Sequence, residues 1–196
     1  NARQQLKLKA DRLTLLVWGG SKGARSINRA VLAGLPDLLQ MAQVVHISGE
    51  LDWPEVQVAA NALPADSDYH PYPYLHEEMG AALAAADLSV SRAGASALGE
   101  YPAFGLPAVL VPYPYAWRYQ KVNADSLVRR GAALMLRNEE LAEQLLPLLK
   151  GLLQDSARLE KMGKAMRSLA QPQAAEKIAA LLVELGARQG KPGGDV

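Results

Sequence analysis

The run Gly19-Gly20-Ser21-Lys22-Gly23-Ala24-Arg25 constrains this chain more than any other stretch, because of what flanks it. Before it stands an apolar run, Leu13-Thr14-Leu15-Leu16-Val17-Trp18. After it, apolar residues recur at helical spacing over 26–41 (Ile27, Ala30, Val31, Leu35, Leu38, Leu39). Strand, glycine turn and helix form the opening unit of a parallel α/β sheet. Glycines accept a tight turn and let a ligand approach the backbone closely. The unpaired N–H groups that begin a helix favour an anion, typically phosphate. The spacing is neither G-x-x-x-x-G-K-[ST] nor G-x-G-x-x-G. On the loop alone, a phosphate site and a merely tight turn stand level.

The alternation continues along the chain. Further strands are predicted over 43–48, weakly over 67–70, then over 87–91, 106–111 and 132–136. Helices are predicted from Asp52, as a possible N-cap, to about 63, and over 76–86. Others follow over 97–104, closed by Gly105 as C-cap, and, after a loop over Pro112–Tyr115, through Trp117–Gln120 to about 130. Residues 70–75, His-Pro-Tyr-Pro-Tyr-Leu, read as a loop, since two prolines remove donors and fix the backbone. Beyond Asn138 the pattern is all helical (139–153, 156–169, 174–185), with Asn138 and Asp155 as capping residues. The fold class is α/β, a Rossmann-like open parallel sheet of about six strands with flanking helices and a helical C-terminal tail. Residues 1–12 read as a polar lead-in or linker, 13–187 as one domain, and the glycine-rich 188–196 as disordered. The start at Asn1 reads as a piece cut from a longer protein.

Composition removes several function classes. With 21 basic and 20 acidic residues spread along the chain, the formal net charge is +1. No basic block points to nucleic acid, and any anionic ligand must be captured by local geometry. The absence of cysteine excludes disulfides, thiol catalysis and cysteine-bound metals. The 3 histidines, His46, His70 and His76, have no metal-ligand spacing. Apolar residues make up 49% of the chain without an uninterrupted run of membrane-spanning length.

With the common strand order 3-2-1-4-5-6, strands one and four are neighbours at the switch point, where ligands bind beyond the strand ends. Strand one ends in the first glycine turn. Strand four ends in a second, Arg92-Ala93-Gly94-Ala95-Ser96, which also feeds a helix. Two converging helix ends suit a diphosphate better than a lone carboxylate. Glu100, one turn into that second helix, has two readings: a partner of the helix dipole, or an acceptor for the vicinal hydroxyls of a ribose. Spacing alone favours the dipole. The aromatic cluster Tyr113, Tyr115, Trp117 and Tyr119 is loop packing more often than a sugar platform.

Gly-Gly-Ser-x-Gly-Ala-Arg-x-x-Asn (19–28), His46-x-Ser48-Gly49, Glu77-Glu78-Met79 and Ser91-Arg92-Ala93-Gly94-Ala95 with Glu100 resemble the MurG glycosyltransferases. So do Gly105-Leu106-Pro107-Ala108, Val111-Pro112-Tyr113-Pro114, Gln120 and Asn123-Ala124, in order over about 13–136. The resemblance is to the C-terminal, donor-binding half of a two-domain enzyme. It implies transfer of N-acetylglucosamine from UDP-N-acetylglucosamine to the muramoyl C4 hydroxyl of lipid I, with inversion, giving lipid II. It also implies no cofactor beyond the donor substrate, no metal, and no catalytic residue in this half, the base belonging to the N-terminal half. Lipid I and the membrane would be met through that other half, the whole being peripheral on the cytoplasmic face of the plasma membrane.

Carried over by position, Gly20 and Ser21 would face the donor phosphates, and Asn28 would stand near the domain cleft. Leu75 and the backbone at His76 would meet uracil. Arg92, Gly94, Ala95, Ser96 and Ala97 would surround the diphosphate. Glu100 would take the ribose hydroxyls, and Gln120 the sugar hydroxyls. Ala97 stands where the family usually has threonine, Lys22 where it often has glutamine, and Tyr119 where it has glutamine or histidine. Alternatives from neighbouring classes are another UDP-sugar glycosyltransferase such as a glycolipid synthase, a UDP-N-acetylglucosamine 2-epimerase, and a non-catalytic UDP-sugar-binding module.

Overall fold

The computed structural model describes residues 1–20 and 24–189, with 116–118 and 187–189 described by backbone alone. A 6-stranded sheet has the order β3-β2-β1-β4-β5-β6, all neighbours parallel. The strands are β1 (Thr14–Trp18), β2 (Gln43–Ile47), β3 (Tyr69–Tyr72), β4 (Leu88–Ser91), β5 (Ala108–Leu110) and β6 (Ala133–Met135). The helices are α1 (Ala2–Gln5), α2 (Arg25–Ala33), α3 (Leu35–Met41), α4 (Trp53–Asn61), α5 (Met79–Ala85), α6 (Ala97–Phe104), α7 (Trp117–Val128), α8 (Leu141–Leu153), α9 (Ser156–Arg167) and α10 (Ala174–Gln189). The predicted open sheet and its strand order are thus observed.

Alternation along the strands divides the core into two layers. Leu15, Val17, Val44, Leu88 and Val90 pack on one face with α2, α3 and the leucine stripe of α8 (Leu141, Leu145, Leu149, Leu152). Leu16, Val45 and Ile47 pack on the other with Leu83, Tyr101 and Leu127 from α5, α6 and α7. The lead-in contributes to this second layer: Leu6 and Leu8 are buried there, and Arg3 pairs with Asp87 at 2.9 Å.

Three local expectations are corrected. The helix predicted over 26–41 is two helices, because Gly34 ends α2 and Pro36 opens α3 as a new first turn. The prolines do not confine 70–75 to a loop: β3 runs through His70-Pro71-Tyr72. The carbonyls of Asp68 and Tyr72 accept from Val44 and Ser48, so even-numbered residues meet the ladder and Pro71 turns its missing donor outward. That is tolerated on an edge strand. The α5 helix begins at Met79, leaving His76, Glu77 and Glu78 in the turn before it.

Two helix ends follow the local chemistry. Asp155 caps α9 by accepting from Arg158 N–H at 2.9 Å. Gly105 closes α6 at φ 63°, and a Cβ there would meet Arg167 Nε at 2.8 Å. Gly105→Ala is therefore expected to cost about 1 kcal/mol or more in denaturant unfolding, from left-handed backbone strain alone. The α10 helix is exposed along its described side chains, including Ile178, Leu181 and Leu182. It reaches Gln189, into the segment expected to be disordered; residues 190–196 of that segment lie outside the described residues.

Candidate functional site

Parallel pairing sets Trp18, the last residue of β1, beside Ser91, the last of β4. Alternation turns Ser89 and Ser91 to the same face as Trp18, where Tyr101 of α6 waits. The Tyr101 hydroxyl lies 2.8 Å from Trp18 Nε1, 3.0 Å from Ser89 Oγ and 2.5 Å from Ser91 Oγ. Ser91 Oγ donates to the Arg92 carbonyl, so it accepts from Tyr101, while Trp18 donates to the tyrosine oxygen. Burial pushes the Tyr101 hydroxyl up to about 12. One phenol thereby ties together both strand ends and the helix after the second turn.

Above this hub opens a cleft of about 1180 Å³. Its lining brings together residues of both turns (Gly19, Gly20, Gly94, Ser96) with Arg25, Arg29, Asp52 and Arg92. Gly20 adopts φ 84°, a conformation glycine reaches without strain. Neither α2 nor α6 has a side-chain N-cap bond. The Ala97, Leu98 and Gly99 N–H groups are taken by the carbonyls of Gly94, Ala95 and Ser96. Those of Gly94, Ala95 and Ser96 meet no acceptor among the described residues. Three successive donors at a helix start are suited to a phosphate oxygen.

Of the residues expected at the site, Gly20, Arg92, Gly94, Ser96 and Gln120 line the cleft. Ser21 lies outside the described residues, as does Lys22. Asn28 is not at the cleft surface: it is buried, with Nδ2 donating to the Ser48 carbonyl and to Asp52, each at 2.9 Å. Leu75 is buried in the second core layer, and His76 is exposed with its ring 4.7 Å from that of Tyr74. Neither lines the cleft, nor do Ala95 and Ala97. Glu100 sits just inside α6, off the lining, with its Oε2 buried and unpartnered. A buried carboxylate oxygen without a donor is costly.

Two of the lining residues are also bonded within the protein, Arg92 extensively and Gln120 once. Arg92 Nη1 donates to the Val111 carbonyl at 3.2 Å and to Asn138 Oδ1 at 3.0 Å. Its Nη2 donates to Ser26 Oγ at 2.8 Å, and its guanidinium lies 5.3 Å over the Tyr113 ring. Burial lowers its pKa. Arg92 thus fastens the loops after β4, β5 and β6 to the start of α2. Gln120 Oε1 accepts from Tyr113 N–H at 2.8 Å, which leaves its amide nitrogen for another partner.

Sequence reasoning passed over Arg25, Arg29, Asp52 and Asn138. Asp52 and Asn138 read as caps, but Asp52 makes no side-chain cap bond, and Asn138 opens a 3-10 turn over 138–140 ahead of α8, whose N-cap position is Glu140. Asn138 Oδ1 accepts from Ser26 and Arg92 instead. The available signal was Arg25 and Arg29 at i, i+4, one turn apart on the helix after the first glycine turn. Tyr113 and Tyr115, read as loop packing, both line the cleft in an edge-on pair 5.5 Å apart, with Tyr115 91% exposed.

Residues 14–179 match the family model of the glycosyltransferase family 28 C-terminal domain. A Roseiflexus sp. (strain RS-1) protein named UDP-N-acetylglucosamine–N-acetylmuramyl-(pentapeptide) pyrophosphoryl-undecaprenol N-acetylglucosamine transferase is 45% identical, over 93% of this chain and 46% of its own length. The crystal structure of Acinetobacter baumannii MurG superposes with a TM-score of 0.80 at 28% identity, over 93% of this chain and 53% of that one. A Neisseria meningitidis UDP-GlcNAc 2-epimerase shares the fold, with a TM-score of 0.66 at 13% identity over 93% of this chain and 47% of that one. The chain spans about half the length of the curated relatives it matches. A parallel sheet of this order, its two glycine turns meeting above Tyr101, and the match over 14–179 make this chain a member of glycosyltransferase family 28, in its C-terminal domain.

Proposed function

We propose that this chain is the donor-binding half of an inverting transferase that moves N-acetylglucosamine from UDP to the muramoyl C4 hydroxyl of lipid I, yielding lipid II. The observation that carries the reading is the cleft at the β1–β4 switch point, bounded by two helix starts without side-chain caps and by Arg25 and Arg29. Departing UDP gains negative charge as the glycosidic bond breaks. Fixed N–H groups and guanidinium groups stabilise that charge without reorganising. The diphosphate would lie across Gly20 and the Gly94–Ser96 amides, and the ribose hydroxyls would extend toward Glu100, half-buried in the first turn of α6. The sugar would extend toward Gln120, with uracil toward the Leu75–His76 backbone. The base, the lipid acceptor and the membrane contact belong to the other half of the full enzyme. Among the described residues no helix is long and apolar enough to cross a membrane.

Calorimetric titration tests this directly. UDP and UDP-N-acetylglucosamine are expected to bind, and a preference for UDP-glucose would assign the chain to a glycolipid synthase instead. Glu100→Ala is expected to weaken UDP binding by about 1–3 kcal/mol, through loss of charge-assisted bonds to the ribose. An unchanged affinity would return Glu100 to the dipole role. This half alone is expected to yield little or no lipid II from lipid I and donor.

A further inference from the structure

Two arginines of α2 face two carboxylates at the start of α4. Arg25 Nε donates to Asp52 at 2.7 Å, and Arg29 Nε to Glu55 at 3.2 Å. Both arginines line the cleft, but the carboxylates differ. Glu55 is 46% exposed, and an exposed pair holds its partner loosely. Asp52 is 5% exposed and is gripped from behind.

The grip has a fixed direction. Asn28 Nδ2 donates both protons, to the Ser48 carbonyl and to Asp52 Oδ2. Its Oδ1 can then only accept, so His46 Nε2, 3.0 Å away, carries the ring proton. That leaves His46 Nδ1 to accept from the Tyr69 hydroxyl at 2.8 Å. The order is Tyr69 to His46 to Asn28 to Asp52, with Arg25 donating from the cleft side. Asn28 and His46 are both buried. Reversing any one bond would leave a buried group without a partner.

We propose that this buried relay is a positioning device: it fixes Asp52, which holds Arg25 by Nε and leaves Nη1 and Nη2 free for the diphosphate of the ligand. No acceptor among the described residues takes those two nitrogens. The proposal rests on the donor-binding reading above and makes Asp52 a positioning residue. Simple electrostatics predicts the opposite effect, since a carboxylate beside a phosphate site repels the ligand.

The test is a titration of UDP and, separately, uridine into the full chain. Asp52→Asn is expected to weaken UDP binding about tenfold and leave uridine unchanged, because only UDP carries the diphosphate. In an Arg25→Gln background the same substitution should have no further effect on UDP, as a double-mutant cycle requires of residues acting in series. Tighter UDP binding by Asp52→Asn, or equal losses for UDP and uridine, would overturn the positioning role. Should that variant not fold, Arg25→Lys at the exposed end asks the same question. Lysine keeps the charge but has a single nitrogen, which cannot sit against Asp52 and also place separate nitrogens toward the ligand as the planar guanidinium does, so unchanged UDP affinity would overturn the proposal. Absence of UDP binding by the unsubstituted chain would instead overturn the donor-binding reading itself.

Discussion

Tyr101→Phe is expected to lower the unfolding free energy by about 2–4 kcal/mol, although it deletes a single oxygen. The ring would still fill its place against Trp18, from which it stands edge-on at 6.2 Å. The loss falls on the groups left behind. Trp18 Nε1–H and the Ser89 hydroxyl lose their acceptor, and Ser91 Oγ loses its donor. Each unmet buried group costs roughly 1–3 kcal/mol, with some relief by rearrangement or entering water. Denaturant unfolding checks the figure. The double variant Tyr101→Phe/Ser89→Ala should be less destabilised than the sum of its parts, because it removes an orphaned hydroxyl as well as its partner. A loss below about 0.5 kcal/mol for Tyr101→Phe would mean that the phenol does not organise the strand ends.

The second large effect is an acid limb from His46. Burial lowers its pKa from 6.5 to about 4, against the opposing pull of Asp52. Above pH 6.5 the ring is neutral in the folded and unfolded chain alike and adds no pH dependence. As pH falls below 6.5, the unfolded chain takes a proton that the folded chain refuses until about 4. Stability therefore declines by about 1.4 kcal/mol per pH unit across that window, roughly 3 kcal/mol in all. Unfolding of the chain and of His46→Gln over pH 7 to 4 separates this contribution from the carboxylates. The variant should start less stable, with a slope shallower by one proton. Equal slopes would show that the ring titrates freely.

How much of this was legible beforehand depended on whether the signal was local. Apolar runs and glycine punctuation are local, so the strands and the close of α6 at Gly105 could be read from spacing, whereas the strand order was taken from the common doubly wound arrangement. Gly34 and Pro36 were visible too, but the apolar stripe runs across them (Ile27, Val31, Leu35, Leu38 are all buried), and its continuity concealed the break. Pro71 misled for a different reason. A proline excludes a central strand, whereas its effect on an edge strand depends on which side faces the ladder, a tertiary fact. At the site, Asp52 and Asn138 have ideal capping chemistry, and nothing in their neighbours says that residues 27 and 112 positions away claim their oxygens. The resemblance to the family directed attention to Glu100, and its buried, unpartnered oxygen is a trait that spacing could not supply.

The outward proline in β3 has a consequence for how such a domain can associate. A flank that lacks a donor at its middle is a poor template for another chain's backbone, and the opposite flank, β6, is three residues long. Lengthening the sheet by recruiting a neighbour is thus blocked on one side and offers little on the other. Stable company for this fold has to be sought at loop tips and helix surfaces, where two bodies can pivot against each other without breaking a hydrogen-bonded seam.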